Sequence, residues 1–126
     1  MLNSCAIFGD SIAVGLSWFI KSCAVTAKVG MSSGWILAHA YSGNFDTVYV
    51  SAGSNDPSNP SLFQNLEGIR QKNPNAKYVW ILPVNYKASL ANKLVANMYH
   101  DRTVSFTPGP DHVHPRSYQE LSKKVY

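Results

Sequence analysis

The chain alternates short apolar runs with longer segments whose apolar residues return every three or four positions. Ala6-Ile7-Phe8 stops at the turn Gly9-Asp10-Ser11, and Ile12 to Lys21 then carries Ile12, Leu16, Phe19 and Ile20 on one helical face. Ala24 to Val29 is rich in β-branched and small residues and predicts a second strand ending at Gly30. After the loop 30–34, a short helix is expected around Trp35 to Tyr41. Thr47 to Ser51 predicts a third strand, followed by the turn-rich Ala52-Gly53-Ser54-Asn55-Asp56-Pro57. Ser61 is placed to cap a helix bearing Leu62, Phe63, Leu66 and Ile69, and Pro74 lies just past its end.

Lys77 to Leu82 is a nearly continuous apolar run, as in a central parallel strand buried on both faces, and Pro83 stops it. Leu90, Ala91, Leu94, Val95 and Met98 mark another helix, and Thr103 to Phe106 a short fifth strand. A last helix is expected from about Arg116, with Tyr118, Leu121 and Val125 facing inward. This alternation predicts an α/β fold, a three-layer α/β/α sandwich on a five-stranded parallel sheet with right-handed crossovers. The 126 residues show no linker, repeat or low-complexity segment, so one domain spanning 1–126 is expected.

Composition narrows the function classes. Hydrophobic residues make up 45% and charged residues 14%, which excludes a disordered chain. No apolar run reaches the roughly 18 residues of a membrane helix, so no membrane partner is expected. No basic residue precedes Asp10, and cleavage there would remove the Gly-Asp-Ser turn. A signal peptide is therefore not expected, and the default setting is cytoplasmic or phage-associated. A formal charge of +4 would suit a polyanion, but Lys and Arg are scattered and the densest cluster is Lys123-Lys124. Without a basic run interleaved with aromatics, no nucleic acid partner is expected. Cys5 and Cys23 are too few for a disulfide framework and lack metal-site spacing; Cys5 reads as a buried, inert thiol in the first strand.

The candidate chemistry comes from topology. In a doubly wound sheet the loops leaving the C-terminal strand ends gather along one edge. Ser11 follows the first strand, Gly34 the second, Asn55 the third, and Asp111-His112-Val113-His114-Pro115 the fifth. Taken singly, each has a structural explanation: Ser11 as a helix cap, Asn55 as a turn residue, His114 as a surface imidazole. Asp and His three apart in a turn can set a carboxylate against the inner ring nitrogen and leave the outer one for serine. Gly34 can bring its N–H close to an incoming oxygen. Asn55 can donate a hydrogen bond without carrying charge.

Gly9-Asp10-Ser11, Gly34, Gly53-Ser54-Asn55-Asp56 and Asp111-His112-Val113-His114 resemble, in order, the four signature blocks of the SGNH (GDSL-type) hydrolases. The resemblance implies a flavodoxin-like fold and a serine esterase without metal or cofactor. Ser11 would be the nucleophile, His114 its general base, and Asp111 the residue orienting the imidazole. The N–H groups of Ser11 and Gly34 and the side-chain amide of Asn55 would form the oxyanion hole. Trp35, Ser54 and Tyr86 are candidate substrate contacts, and Asn85 leaves the fourth strand at the same edge. His112 reads as solvent-facing or lining the site, and His39 and His100 are not assigned to catalysis. Asp10 and Asp56 read as braces of their own turns.

Trp35 stands where many members of that family carry an acidic residue, Ile12 replaces the usual leucine, and the chain is shorter than most members. A short chain leaves little room for a lid. The expected substrate is therefore a short-acyl ester, acetyl above all, as a small molecule or on a glycan. Two other readings remain at this stage: a flavodoxin-like module cradling phosphate at the Ser11 and Ser54-Asn55 turns, and a non-catalytic glycan binder. The first leaves Asp111 and His114 without a use, and the second does not explain why every catalytic position is filled.

Overall fold

The computed structural model describes residues 4–126. Five parallel strands, β1 (Cys5–Gly9), β2 (Ala24–Ala27), β3 (Thr47–Ser51), β4 (Lys77–Ile81) and β5 (Arg102–Val104), form one sheet in the order β2-β1-β3-β4-β5. Five helices intervene: α1 (Ser11–Ser17), α2 (Ser33–His39), α3 (Leu62–Gln71), α4 (Tyr86–Met98) and α5 (Tyr118–Val125). The predicted three-layer α/β/α sandwich is what forms.

Within the apolar strands, side chains alternate between the two faces of the sheet. Phe8, Val48, Val50, Tyr78 and Trp80 pack with Ile36, Leu66, Ile69 and Val95 beneath α2, α3 and α4. Ile7, Tyr49, Val79 and Ile81 pack with Ile12, Leu16, Leu121 and Val125 beneath α1 and α5. The strand order reverses between β1 and β3, and the crevice at that switch point lies where Ser11 and Asn55 leave the sheet.

Several expectations need correction. Cys5 and Cys23 are joined in a disulfide, so Cys5 is not a free thiol. The cause is register: Ala6 pairs with Ala24, which sets the preceding residues opposite each other with their Cα atoms 4.6 Å apart. Ser61 occupies the cap position of α3, but its hydroxyl makes no capping bond; its own N–H is bound by Asn59 Oδ1 at 2.9 Å. Helix α1 ends at Ser17 rather than Lys21, and Trp18 and Phe19 beyond it are exposed. Strand β2 stops at Ala27 and β5 at Val104, both on sheet edges where only one neighbour supplies hydrogen bonds.

On α4 the large residues Leu90, Leu94 and Met98 are exposed, and Ala88, Asn92, Val95 and Ala96 face the core. Asn92 donates to the carbonyl of Ala52 at 3.1 Å, tying α4 to the chain just before Gly53.

Candidate active site

The turn after β1 is shaped by close packing. A Cβ on Gly9 would lie 2.3 Å from the Ser51 carbonyl oxygen of β3 and 2.7 Å from Ala13 Cβ, so only glycine fits. Asp10 then caps α1: its Oδ1 accepts from Ile12 N–H at 3.0 Å and from Ser51 Oγ at 2.9 Å. Asp10 is fully buried and its Oδ2 has no partner among the described residues. Burial pushes its carboxyl up to about 6, against the lowering effect of those hydrogen bonds. Ser11 is the first residue of the helix, where helical geometry gives its N–H no acceptor.

The segment after β5 is a closed loop. Pro108 and Pro115 form an antiparallel bridge, the Gly109 N–H donates to His114 O at 2.8 Å, and the Arg116 N–H to Thr107 O at 2.8 Å. His112 takes φ 59° at the tip, which turns the chain so that the Val113 and His114 N–H groups both donate to Asp111 Oδ1, at 3.0 and 2.9 Å. Asp111 Oδ2 lies 2.6 Å from His114 Nδ1, and His114 Nε2 lies 2.8 Å from Ser11 Oγ. The backbone N–H of His114, then its ring, then the Val113 N–H hold the Asp111 carboxyl well below the usual carboxylate range. It therefore stays ionised as a partner for the imidazole. The side chains of His114 and Asp111 remain 41% and 54% exposed, so the site opens directly to solvent.

Helix α5 steadies this arrangement from behind. The Tyr118 ring packs against Gly15 of α1 so closely that a Cβ there would lie 2.3 Å from the ring. Burial raises the Tyr118 phenol above its ordinary value, and Asp10 and Asp111 add to the effect. This contact between α5 and α1 was not singled out from the sequence.

Gly34 is the second residue of α2, and nothing lies closer than 3.8 Å to where its Cβ would be. Asn55 is exposed and donates through Nδ2 to Met31 O at 3.0 Å, which leaves the second amide hydrogen free. Trp35 is half-buried and stacks on His39 with ring centroids 4.0 Å apart. Ser54 is half-buried on the same loop as Asn55. Tyr86 begins α4 and is 78% exposed, and Asn85 spends its Oδ1 capping that helix through the Lys87 and Ala88 N–H groups. His100 lies at the opposite end of α4, and His112 points to solvent at the loop tip.

Asp56 departs from expectation, because it binds Ser33 of α2 rather than only its own turn. A cavity of about 560 Å³ opens at the opposite, N-terminal edge of the sheet, with Tyr49, Arg70, Lys77 and Arg102 in its wall and no residue of the serine constellation. Convergence of Ser11, His114 and Asp111, rather than volume, marks the candidate site. Sequence reasoning missed Ser33, Ser51 and Asn92, buried polar residues that bind these loops, because a polar residue in a strand or helix carries no motif of its own.

Comparison of the sequence with protein-family models and with curated proteins gives no match. Solved structures do resemble it. A chain assigned as a GDSL-like lipase from Bacteroides ovatus superimposes with a TM-score of 0.73 at 12% identity, covering 99% of this chain and 96% of that one. An extracellular lipase from Streptomyces rimosus gives 0.64 at 14% identity, covering 99% and 100%. The C-terminal catalytic domain of peptidoglycan O-acetyltransferase A from Streptococcus pneumoniae gives 0.58 at 15% identity, covering 98% and 87%. The likeness covers nearly the whole chain, and the chain has the fold of the GDSL-type lipases and acylhydrolases.

Proposed function

We propose that this chain is a serine esterase domain of the SGNH type that removes short acyl groups, acetyl above all. The observation that carries this is the continuous chain from Ser11 Oγ to His114 Nε2 (2.8 Å) and from His114 Nδ1 to Asp111 Oδ2 (2.6 Å). In this reading Ser11 Oγ attacks the ester carbonyl as its proton passes to His114 Nε2. Asp111 accepts from Nδ1, so the neutral imidazole presents a lone pair at Nε2 and the imidazolium that follows is stabilised. The carbonyl oxygen becomes an oxyanion facing the Ser11 and Gly34 N–H groups and the Asn55 amide, each donor contributing about 3 kcal/mol in the transition state. Collapse breaks the bond to the alkoxy oxygen, which takes the proton from His114. Water, activated by the same imidazole, then hydrolyses the acyl-enzyme and returns Ser11.

The exposure of His114 and Asp111 favours an ester carried on something bulky, such as an acylated glycan, over a long acyl chain that needs burial. Trp35, Ser54 and Tyr86 are the residues we assign to substrate contact. A phosphate-binding module fits less well, because the starts of α1 and α2 beside Ser11 and Asn55 already carry a carboxylate, Asp10 on α1 and Asp56 on α2. The disulfide favours an oxidising compartment over the cytoplasm. No helix among the described residues is long and apolar enough to cross a membrane.

The test is turnover of p-nitrophenyl acetate and p-nitrophenyl octanoate by the wild type and by Ser11→Ala. Acetate hydrolysis that disappears in the variant is the expected result. Octanoate preference would overturn the short-acyl assignment, and turnover that survives in Ser11→Ala would overturn the mechanism.

A further inference from the structure

Asp56 lies outside the serine–histidine–aspartate chain, yet its carboxylate is the most heavily used acceptor between the two loops beside it. Oδ1 accepts from the Ser33 N–H at 3.0 Å, and Oδ2 accepts from Ser33 Oγ at 2.6 Å and from Asn59 Nδ2 at 2.9 Å. Ser33 is fully buried, and its Oγ also accepts from Asn65 Nδ2 of α3 at 3.0 Å. A second tie runs in the opposite sense, from Asn55 Nδ2 to Met31 O at 3.0 Å. The loop after β3 and the start of α2 are therefore clamped together, by Asn55 and Asp56 on one side and Met31 and Ser33 on the other.

The clamp also decides which N–H of α2 is left free. Ser33 N–H is taken by Asp56, Trp35 N–H donates to Ser32 Oγ at 3.4 Å, and Ile36 N–H to Ser32 O at 3.1 Å. Among the described residues, the Gly34 N–H alone in this first turn has no acceptor. Gly34 adjoins Ser33, and Asn55 adjoins Asp56. These are the two oxyanion donors that α1 does not supply.

We infer that Asp56 is a positioning residue for the oxyanion hole, holding the Gly34 N–H and the Asn55 amide in register through its bidentate grip on Ser33. This inference rests on the esterase reading above. A carboxylate suits the task because it offers acceptors only, to three donors at once. An asparagine would turn an NH₂ group towards one of those donors. Misplacing the loops by a fraction of an ångström would weaken stabilisation of the oxyanion and leave ground-state binding nearly untouched.

The experiment measures kcat and KM for p-nitrophenyl acetate, and the affinity for trifluoroacetone, which binds a catalytic serine as a hemiketal oxyanion. The proteins are the wild type, Ser11→Ala, Asn55→Ala, Asp56→Asn, Ser33→Ala and the double variant Asn55→Ala/Asp56→Asn, each checked for folding by circular dichroism. Asp56→Asn is expected to lower kcat by about 10- to 100-fold with KM changed less than about threefold, and to weaken the ketone by the same factor as kcat. The double variant should lose less than the product of the single losses, since both changes disable the same donors. Ser33→Ala, which keeps the backbone bond to Asp56, should show a smaller loss of the same kind and carries the test if Asp56→Asn does not fold. Folded Asp56→Asn and Ser33→Ala with wild-type kcat and ketone affinity, beside Ser11-dependent turnover in the wild type, would overturn the positioning role and leave the esterase standing. Losses confined to KM, or fully multiplicative losses in the double variant, would overturn it too. No Ser11-dependent turnover in the wild type would overturn both.

Discussion

Replacing Asp10 by asparagine should make the protein's stability less dependent on pH. Asp10 is fully buried, accepts two hydrogen bonds through Oδ1, and has no partner at Oδ2 among the described residues. Burial raises its carboxyl from 3.8 to about 6, so the folded state holds the proton more tightly than the unfolded chain does. The stabilisation this gives is complete below the unfolded value and is lost as pH rises through the folded one. The whole loss is about 3 kcal/mol, from 1.36 kcal/mol per pH unit. About 2 kcal/mol of it falls between about pH 4.5 and about pH 7.5, the range open to measurement.

Asp10→Asn keeps an acceptor for Ile12 and Ser51 and carries no charge at any pH. Urea unfolding of both proteins across that range, read as the difference between them at each pH, cancels every other titrating group. The difference should move in favour of the asparagine variant by about 2 kcal/mol as pH rises. An offset that stays constant with pH is allowed, since the new NH₂ group replaces an unpartnered oxygen and has its own cost. A difference that is flat across the range would refute the reasoning, because it would mean that Asp10 ionises in the folded protein as easily as in the unfolded chain.

Two further predictions concern stability away from the site. Cys5→Ser/Cys23→Ser should lower unfolding free energy by about 3 kcal/mol in urea titrations, the value for a closed loop near this size, given a sequence separation of 18 residues. Asp101→Ala should cost about 3–5 kcal/mol by the same assay. It strands the buried Arg70 guanidinium, held by Asp101 at 2.7 and 3.1 Å and lying over the Tyr78 and Tyr99 rings, and it leaves Trp80 Nε1 without its acceptor. Arg70→Met/Asp101→Leu should recover a large part of that loss, since the pair is costly chiefly when broken.

The strands and helices were legible in the chain because each has one dominant periodicity. Lys77 to Leu82 could only be a strand buried on both sides, and the spacing of Leu62, Leu66 and Ile69 only a helix. The ends were less legible: Phe19 and Ile20 continue the helical pattern of α1, yet the helix stops at Ser17. On α4, the residues that made the helix visible, Leu90, Leu94 and Met98, are exposed, and Asn92 takes a core position that its polarity hides. Cys5 and Cys23 look like unrelated residues until β1 and β2 pair in parallel and bring them together.

What the sequence determined by itself was the alternation of strand and helix, and with it the edge at which Ser11, Gly34, Asn55, Asp111 and His114 had to emerge. Local patterns suffice for that, because the period of side-chain burial and the handedness of crossovers are properties of any such chain. Only the tertiary structure decided the partnerships. It set Ser11 Oγ 2.8 Å from an imidazole more than a hundred residues away, and it turned Asp56 onto Ser33 as well as its own turn. It also buried Asp10 with one oxygen unpartnered among the described residues. The physical reason is that hydrogen bonds, burial and the pKa shifts they cause depend on distances between residues remote in sequence, and those distances exist only once the sheet has formed and the helices have packed on it.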